Sequence, residues 1–208
     1  MSNISIQQIK NHFDDREINL KRRVSQKCAL AITKYEGKEL KFKSGYTIYV
    51  PVGFEVVIKS PDGNFKKITS DEPYNPGIIS SMWIIRLHAS NIPWGVTDIS
   101  YTDKRSDHKV QFGLNGEFEI VIFESIALIK KLSEPEEMSS LDIKNKMSSE
   151  MNSSIGSILR DFAFEHGFDE LDKRNLAVAE IIKNALITLF GEYFLDLNKF
   201  TIKSYRKL

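Results

Sequence analysis

The sequence predicts an α+β protein, in which an antiparallel, β-rich N-terminal part is followed by a helical part and a returning C-terminal strand. Up to about Glu124, apolar and aromatic residues alternate with polar ones and are separated by Gly and Pro turns, which is typical of strands. Beyond Glu124 the apolar residues recur every three or four positions, which is the period of a helix. We therefore expect the chain to change from strands to helices near Glu124.

The composition indicates an ordinary folded chain. Of 208 residues, 41% are hydrophobic and 27% are charged, so a sizeable core is expected. The net charge of +1 provides no general attraction to nucleic acid or to an anionic membrane. The single cysteine, Cys28, cannot form an intramolecular disulfide, which is typical of a reducing compartment. Met1 to Leu20 do not have the pattern of a signal peptide, and no window approaches a membrane span of ~18 apolar residues. We expect a cytoplasmic protein.

The N-terminal part is predicted to form an extension over residues 1–45, ahead of a main domain over residues 46–208. Ser2 to Phe13 has apolar residues at helical spacing and opens the chain as a short helix. Lys27 to Tyr35 and Glu39 to Lys43 flank the turn at Gly37 and are predicted to form a hairpin. Tyr46 to Pro51 is the next predicted strand, and the first of the main domain.

A second hairpin is predicted in the middle of the sheet region. Phe54 to Ser60 and Phe65 to Thr69 are rich in β-branched and aromatic residues, and Pro61-Asp62-Gly63-Asn64 supplies the turn between them. Asp71 to Gly77 contains two prolines, which lack the N–H group that a central strand needs, so it is predicted to be a loop or an edge. Ile79 to Ala89 resumes an apolar strand.

The last strand before the change of period is predicted to be central. Val110 to Phe123 has apolar residues on both faces after Glu119, which indicates cover on each side. Ser125 is a suitable cap for a short helix from Ile126 to Leu132. The sequence Pro135-Glu136-Glu137 suits the first turn of a further helix.

Two amphipathic helices and a strand complete the predicted fold. Leu141 to Glu165 forms the first helix, ended by Gly167, and Asp169 or Asp172 is predicted to cap the second. The second stripe ends near Gly191, and Tyr193 to Lys203 returns as a strand. The apolar stripe of the first helix consists of Met147, Met151, Ile155, Ile158, Leu159 and Phe162. The stripe of the second consists of Leu176, Ala179, Ile182, Leu186, Leu189 and Phe190. Such stripes are usually core, and the alternative for the first is an exposed assembly surface.

Residues with the spacing of catalytic or metal sites are scarce. The chain has neither a phosphate-binding loop ending in Gly-Lys-Ser/Thr nor a Gly-x-Ser-x-Gly nucleophile turn. Its four histidines are scattered, and none pairs with another at the i, i+4 spacing of zinc ligands. We therefore expect no catalytic residue, no cofactor and no metal. The alternative is an enzyme with an unmarked site, which would need a concave pocket around His88 or His108.

A second alternative function is suggested by Lys34 to Tyr49, where four lysines are interleaved with aromatic residues. Basic strands carrying aromatic side chains can follow a nucleic-acid backbone and stack on its bases. The simpler interpretation is a two-faced hairpin with its lysines in water, and the net charge of +1 favours it. Nucleic acid is thus not the partner that we expect.

One stretch resembles a known superfamily. Asn91-Ile92-Pro93-Trp94-Gly95-Val96-Thr97-Asp98 is followed by a charged turn and by a strand that ends in glycine, an aromatic residue and isoleucine. This resembles the SPFH superfamily of stomatin, prohibitin and flotillin, in particular its soluble bacterial branch labelled virion core protein-like. The resemblance covers about Tyr46 to Lys203, with departures at Val96, where threonine is usual, and at Phe194, where glycine is usual. The matching residues are Trp94, Gly95, Gly116, Phe118 and Ile120.

The resemblance implies an α+β domain that self-associates and acts as a scaffold, often at membranes, without chemistry of its own. The chain lacks the hydrophobic hairpin of stomatin-like members, so membrane contact is expected to be peripheral if it occurs at all. It also lacks the long coiled-coil tail that drives ring formation in many members. We expect a homo-oligomer that binds an unidentified protein client.

Overall fold

The computed structural model describes residues 30–36, 50, 52–69, 74 and 78–208 of the protein. The strands are β1 (Leu30–Glu36), β2 (Phe54–Lys59), β3 (Phe65–Ile68), β4 (Ser81–Arg86), β5 (His88–Thr102), β6 (Lys109–Ile122), β7 (Glu137–Ser139) and β8 (Leu195–Lys207). The helices are α1 (Ser125–Lys131), α2 (Ser140–Lys146), α3 (Ser148–His166), α4 (Phe168–Lys173) and α5 (Asn175–Gly191). The predicted α+β class and the change from strands to helices after Glu124 are confirmed.

Several predicted elements lie wholly or partly outside the described residues. The helix Ser2 to Phe13 and the strand Glu39 to Lys43 lie outside the described residues, and so do most of Tyr46 to Pro51 and of Asp71 to Gly77. The division between residues 45 and 46 lies there too. The chain forms two compact units, one of residues up to Ala89 together with Ile122–Ser140, the other of Ser90–Val121 and Leu141–Leu208.

The first unit contains a five-stranded sheet in the order β3-β2-β4-β1-β7. The predicted hairpin of β2 and β3 is confirmed, with Val56 opposite Ile68 and Lys59 opposite Phe65. Gly63 occupies its turn with φ 87°, the left-handed region that favours glycine. A cluster of buried apolar side chains lies on this sheet, and α1 packs against β2 and β3. The cluster consists of Tyr35, Val50, Val56, Ile58, Ile68, Ile79, Met82 and Ile84.

Two predictions at the helix boundaries of this unit are wrong. Pro135-Glu136-Glu137 does not begin a helix, because Glu137–Ser139 pairs with β1 as strand β7. The backbone pairing of a sheet edge here outweighs the local preference for a helix. Ser125 does not cap α1, since Glu124 is the N-cap residue. The Ser125 hydroxyl donates instead to the carboxylate of Glu55, which is buried and needs a donor.

The second unit contains a three-stranded sheet in the order β5-β6-β8, so the prediction of a central β6 is confirmed. Helix α5 packs against β8 and against α3. The returning strand is confirmed, although it runs from Leu195 to Lys207. Strand β5 was not predicted beyond Ala89, although it extends for 15 residues and contains the stretch around Trp94.

The helix boundaries in the second unit differ in part from prediction. The helix predicted over Leu141 to Glu165 is divided into α2 and α3 at Met147. Gly167 ends α3 as predicted, with φ 89° and its N–H group donating to the Ala163 oxygen at 2.8 Å. Neither Asp169 nor Asp172 caps a helix: the N-cap residue is Gly167 for α4 and Arg174 for α5.

Candidate functional site

Three residues distant in sequence meet across the three-stranded sheet. Trp94 in β5 extends over Gly116 in β6, and its Nε1 donates to the Thr201 oxygen in β8 at 3.2 Å. A Cβ atom at Gly116 would lie 2.7 Å from Trp94 Nε1 and 1.8 Å from the Thr201 oxygen. The indole also stacks on Phe200, with ring centroids 4.6 Å apart. Only glycine at position 116 leaves room for this crossing.

The other residues that carry the family resemblance extend the same structural cluster. Phe118 is buried and meets Phe190 of α5 edge to face, with centroids 5.3 Å apart. Ile120 is buried, and a Cβ atom added at Gly95 would meet the Leu114 oxygen at 3.5 Å, which is ordinary contact. Since Trp94, Phe118 and Ile120 are all buried, this cluster joins the sheet to helix α5 and offers no surface to a ligand.

A small recess lies on the same sheet. Its volume is about 30 Å³, which holds one or two water molecules, whereas ligand pockets commonly measure several hundred Å³. Its lining is polar and includes Glu117, Glu119, Lys199 and Thr201. Glu117 is already paired with Lys203 at 2.6 Å. The recess is therefore too small for a substrate, and one of its carboxylates is neutralised.

The residues considered for the enzymatic alternative are on the surface. His88 and His108 are both exposed, and the described part of the chain has no group of three His, Cys, Asp or Glu side chains that could hold a metal ion. The third described histidine, His166, approaches Glu165 at 3.8 Å and packs against Phe162. His88 and His108 are thus open to water, whereas a ligand pocket usually encloses the residues that line it.

Of the basic and aromatic stretch Lys34 to Tyr49, only the first three residues and Val50 beside it are described. Lys34 pairs with Glu36 at 2.6 Å, and its ammonium group lies 5.5 Å from the Trp83 ring centroid. Tyr35 is buried in the core of the first unit. These described residues therefore present no exposed aromatic ring on which a base could stack.

The stripe on α3 is mostly core. Met147, Met151, Ile155 and Leu159 have no accessible surface, while Ile158 and Phe162 are half-buried. A side chain without accessible surface cannot contact a second protein unless the fold rearranges. These four side chains are therefore unavailable to a second protein in this fold.

Helix α5 has exposed apolar side chains. Its inner side is buried against β8 and α3, yet it also exposes three large aliphatic side chains, Leu176 at 84%, Ile181 at 46% and Ile187 at 52%. The placement of Leu176 in the core stripe is thus wrong. Two charged residues complete what we call the outer face of α5. It consists of Leu176, Glu180, Ile181, Lys183 and Ile187.

The outer face was not identified from the sequence, although a signal for it exists. A helix that is apolar around its whole circumference is usually buried on all sides. From Asn175 to Gly191 the only charged residues are Glu180 and Lys183, so α5 is close to such a helix and is apolar on most of its sides. One of its sides nevertheless remains open.

No model of a known protein family matches the chain, and no curated protein matches its sequence. Among the residues that the structure describes, no helix is both long and apolar enough to cross a lipid bilayer.

Proposed function

We propose that the protein is a non-catalytic, self-associating scaffold of the SPFH type, which acts in the cytoplasm. The observation that carries this proposal is the outer face of α5. Leu176, Ile181 and Ile187 are exposed on a helix whose opposite side is fully used in the core. Solvent-exposed aliphatic side chains gathered on one element are typical of protein interaction sites.

The energy available from this face suits self-association of moderate strength. Burying one large aliphatic side chain completely contributes about 1.5–3 kcal/mol. Leu176 is almost fully exposed and the two isoleucines about half, so together they offer several kcal/mol. Association costs at least about 4 kcal/mol in lost freedom of motion. We therefore expect an equilibrium between monomers and oligomers that depends on concentration.

A scaffold needs surfaces besides the one through which it assembles. The polar side of the three-stranded sheet, with Asn115, Glu117 and Lys203, is available for a protein client in this proposal. Membrane contact is peripheral or occurs through a partner, since the net charge of +1 gives little attraction to anionic lipid. The single cysteine of the sequence suits a reducing cytoplasm.

Sedimentation velocity over a wide concentration range tests the proposal. We expect a mass that rises above the 23.9 kDa of one chain as concentration increases. The double variant Leu176→Asp/Ile187→Asp should remain monomeric, because it places two charges on the outer face. Phe164→Asp is the matched control, since Phe164 is an exposed apolar residue on α3, and it should associate like the wild type. At about 1 mM, an association free energy of about −4 kcal/mol is enough to populate oligomers. A wild-type chain that is strictly monomeric at this concentration overturns the proposal.

A further inference from the structure

Four residues of the outer face form one narrow stripe. Leu176, Glu180, Lys183 and Ile187 follow one another at steps of four, three and four. At about 100° per residue they fall within about 60° of one another around the helix and extend over about 17 Å of its axis. Ile181 lies about 130° from the centre of this stripe. The stripe is therefore a seam, which we call the α5 seam, and Ile181 is not part of it.

The α5 seam carries two charged side chains, Glu180 and Lys183. Glu180 is exposed and Lys183 is half-buried, and neither makes an ion pair with any residue that the structure describes. Other charges nearby are paired: Glu170 of α4 binds Lys173 at 2.8 Å and Arg174 at 3.2 Å. An acid and a base on one apolar stripe, each without an ion-pair partner among the described residues, are available to a complementary surface.

The sequence of residues along the α5 seam is complementary to the same sequence running in the opposite direction. Read in either direction, an aliphatic residue is followed by a charge, a charge of opposite sign and a second aliphatic residue. In an antiparallel pair of such helices, Leu176 lies against Ile187 of the second copy and Glu180 against Lys183 of the second copy. In a parallel pair, Glu180 would lie against Glu180 of the second copy and Lys183 against Lys183 of the second copy, and like charges repel.

We propose that the α5 seam binds the α5 seam of a second copy of this chain, with the two helices antiparallel about a two-fold axis. Such an interface is isologous, so each contact occurs twice: two Leu176–Ile187 contacts and two Glu180–Lys183 ion pairs. This inference rests on the proposed function and specifies its contact. The ion pairs set the direction of the helices more than the strength of binding.

The contact is small. Stable complexes bury about 800 Å² on each partner with about 20 residues, whereas a seam of four residues on each copy buries much less. The pair therefore dissociates readily, and it forms one joint of a larger assembly or a dimer seen at high concentration. A weak contact of this kind responds measurably to the reversal of a single charge.

Charge reversal tests the direction and the register of the pair. In Glu180→Lys, both ion pairs become lysine against lysine, and in Lys183→Glu both become glutamate against glutamate. The association constant of each variant should be about tenfold lower than that of the wild type, because two residue pairs change from attraction to repulsion. An equimolar mixture of the two variants, and the double variant Glu180→Lys/Lys183→Glu alone, regain both opposite-charge pairs. Both should associate within about threefold of the wild-type constant.

Controls separate loss of the contact from loss of the fold. Circular dichroism melts establish that each variant is folded, and all four positions tolerate change because they lie on the helix surface. Thr188→Glu is the matched control on the same helix, because Thr188 is exposed about 110° from the centre of the α5 seam, and it should leave self-association unchanged. Sedimentation velocity measures each association constant.

The outcomes distinguish this inference from the proposal on which it rests. If the wild type is monomeric, the proposed function fails and the α5 seam fails with it. If the wild type associates but charge reversal has no effect, or mixing restores nothing, the antiparallel seam is wrong and the scaffold proposal stands. If Ile181→Glu alone abolishes association, a different side of α5 forms the contact and the inference is overturned.

Discussion

Gly116→Ala perturbs the point at which three strands meet. A single methyl group at position 116 of β6 would enter the space between the Trp94 indole and the main chain of β8. Glycine has no Cβ, so the indole can extend across β6 and donate its Nε1 hydrogen to the Thr201 oxygen at 3.2 Å. The variant therefore measures how tightly the sheet of the second unit is closed.

The expected cost follows from the distances. The new Cβ would lie 1.8 Å from the Thr201 oxygen, and real Cβ atoms essentially never approach another heavy atom closer than 3.0 Å, so the strands have to separate by more than an ångström. Inserting a methyl group into a packed core costs about 1–3 kcal/mol. If the indole leaves its site instead, the destabilisation can reach that of losing a buried tryptophan side chain, about 3–5 kcal/mol. We expect a loss of about 3 kcal/mol in the free energy of unfolding.

Two other glycines provide matched controls for the same substitution. A Cβ atom at Gly95 would meet its nearest neighbours at 3.5 and 3.6 Å, which is ordinary contact, so Gly95→Ala should change stability by less than about 0.5 kcal/mol. Gly191 has no atom within 4 Å of an added Cβ and ends α5, so Gly191→Ala should stabilise by up to about 1 kcal/mol. Stability should increase in the order Gly116→Ala, Gly95→Ala, Gly191→Ala.

Chemical denaturation followed by tryptophan fluorescence gives the three free energies. For a chain of this size, a loss of about 3 kcal/mol corresponds to a fall of about 6–12 °C in Tm. If Gly116→Ala unfolds at the same denaturant concentration as Gly95→Ala, the indole does not cross β6 as described. The account of the cluster around Trp94 would then be wrong.

Two further predictions concern a strained backbone and a loop carboxylate. Phe194 has φ 59°, in the left-handed region, at the position where the family resemblance places glycine. Phe194→Gly should therefore be more stable than Phe194→Ala by about 1 kcal/mol, because both variants lose the ring but only glycine adopts this backbone conformation without strain. Denaturant titrations of the two variants measure the difference, and a more stable alanine variant would contradict the prediction. The N–H groups of Arg105 and Ser106 donate to Asp103 Oδ1 at 2.8 and 3.1 Å and lower the pKa of that carboxyl below its ordinary value of 3.8. The resulting stability is present above the unfolded pKa and is lost as pH falls through the folded one. An NMR titration of Asp103 should give a pKa below 3.8. The variant Asp103→Asn should lose the stability change that protonation of Asp103 causes at low pH. A pKa of 3.8 or higher would show that the hydrogen bonds from Arg105 and Ser106 do not form.

Much of the fold could be predicted because its signals are local. The turn at Gly63 needs a residue that tolerates positive φ, and the helix end at Gly167 needs the same. The change of hydrophobic period near Glu124 depends only on neighbouring residues. Predictions failed where a distant partner decides the outcome. Glu137 becomes part of a strand because β1 offers it a pairing edge, and Ser125 turns from its helix toward a buried carboxylate 70 residues away.

The candidate site could be predicted only in part. The sequence singled out Trp94 and Gly116 through a resemblance, but not the contact between them, which also requires Thr201, 107 residues from Trp94. The apolar residues of α5 were visible as a helical stripe, yet Leu176 was placed in the core. A helix that is apolar on most of its sides does not indicate by its own sequence which side another element will cover.

Apart from elements such as β7, the sequence predicted the order of strands and helices, because the alternation of apolar residues at a period of two or of 3.6 is a property of the chain alone. It also determined which side chains share a face of each helix. Which of these faces is buried follows only from the folded chain, because burial depends on the element packed against it. For α5 those elements are β8 and α3, and they cover Ile182 and Leu186 while leaving Leu176 and Ile187 in water.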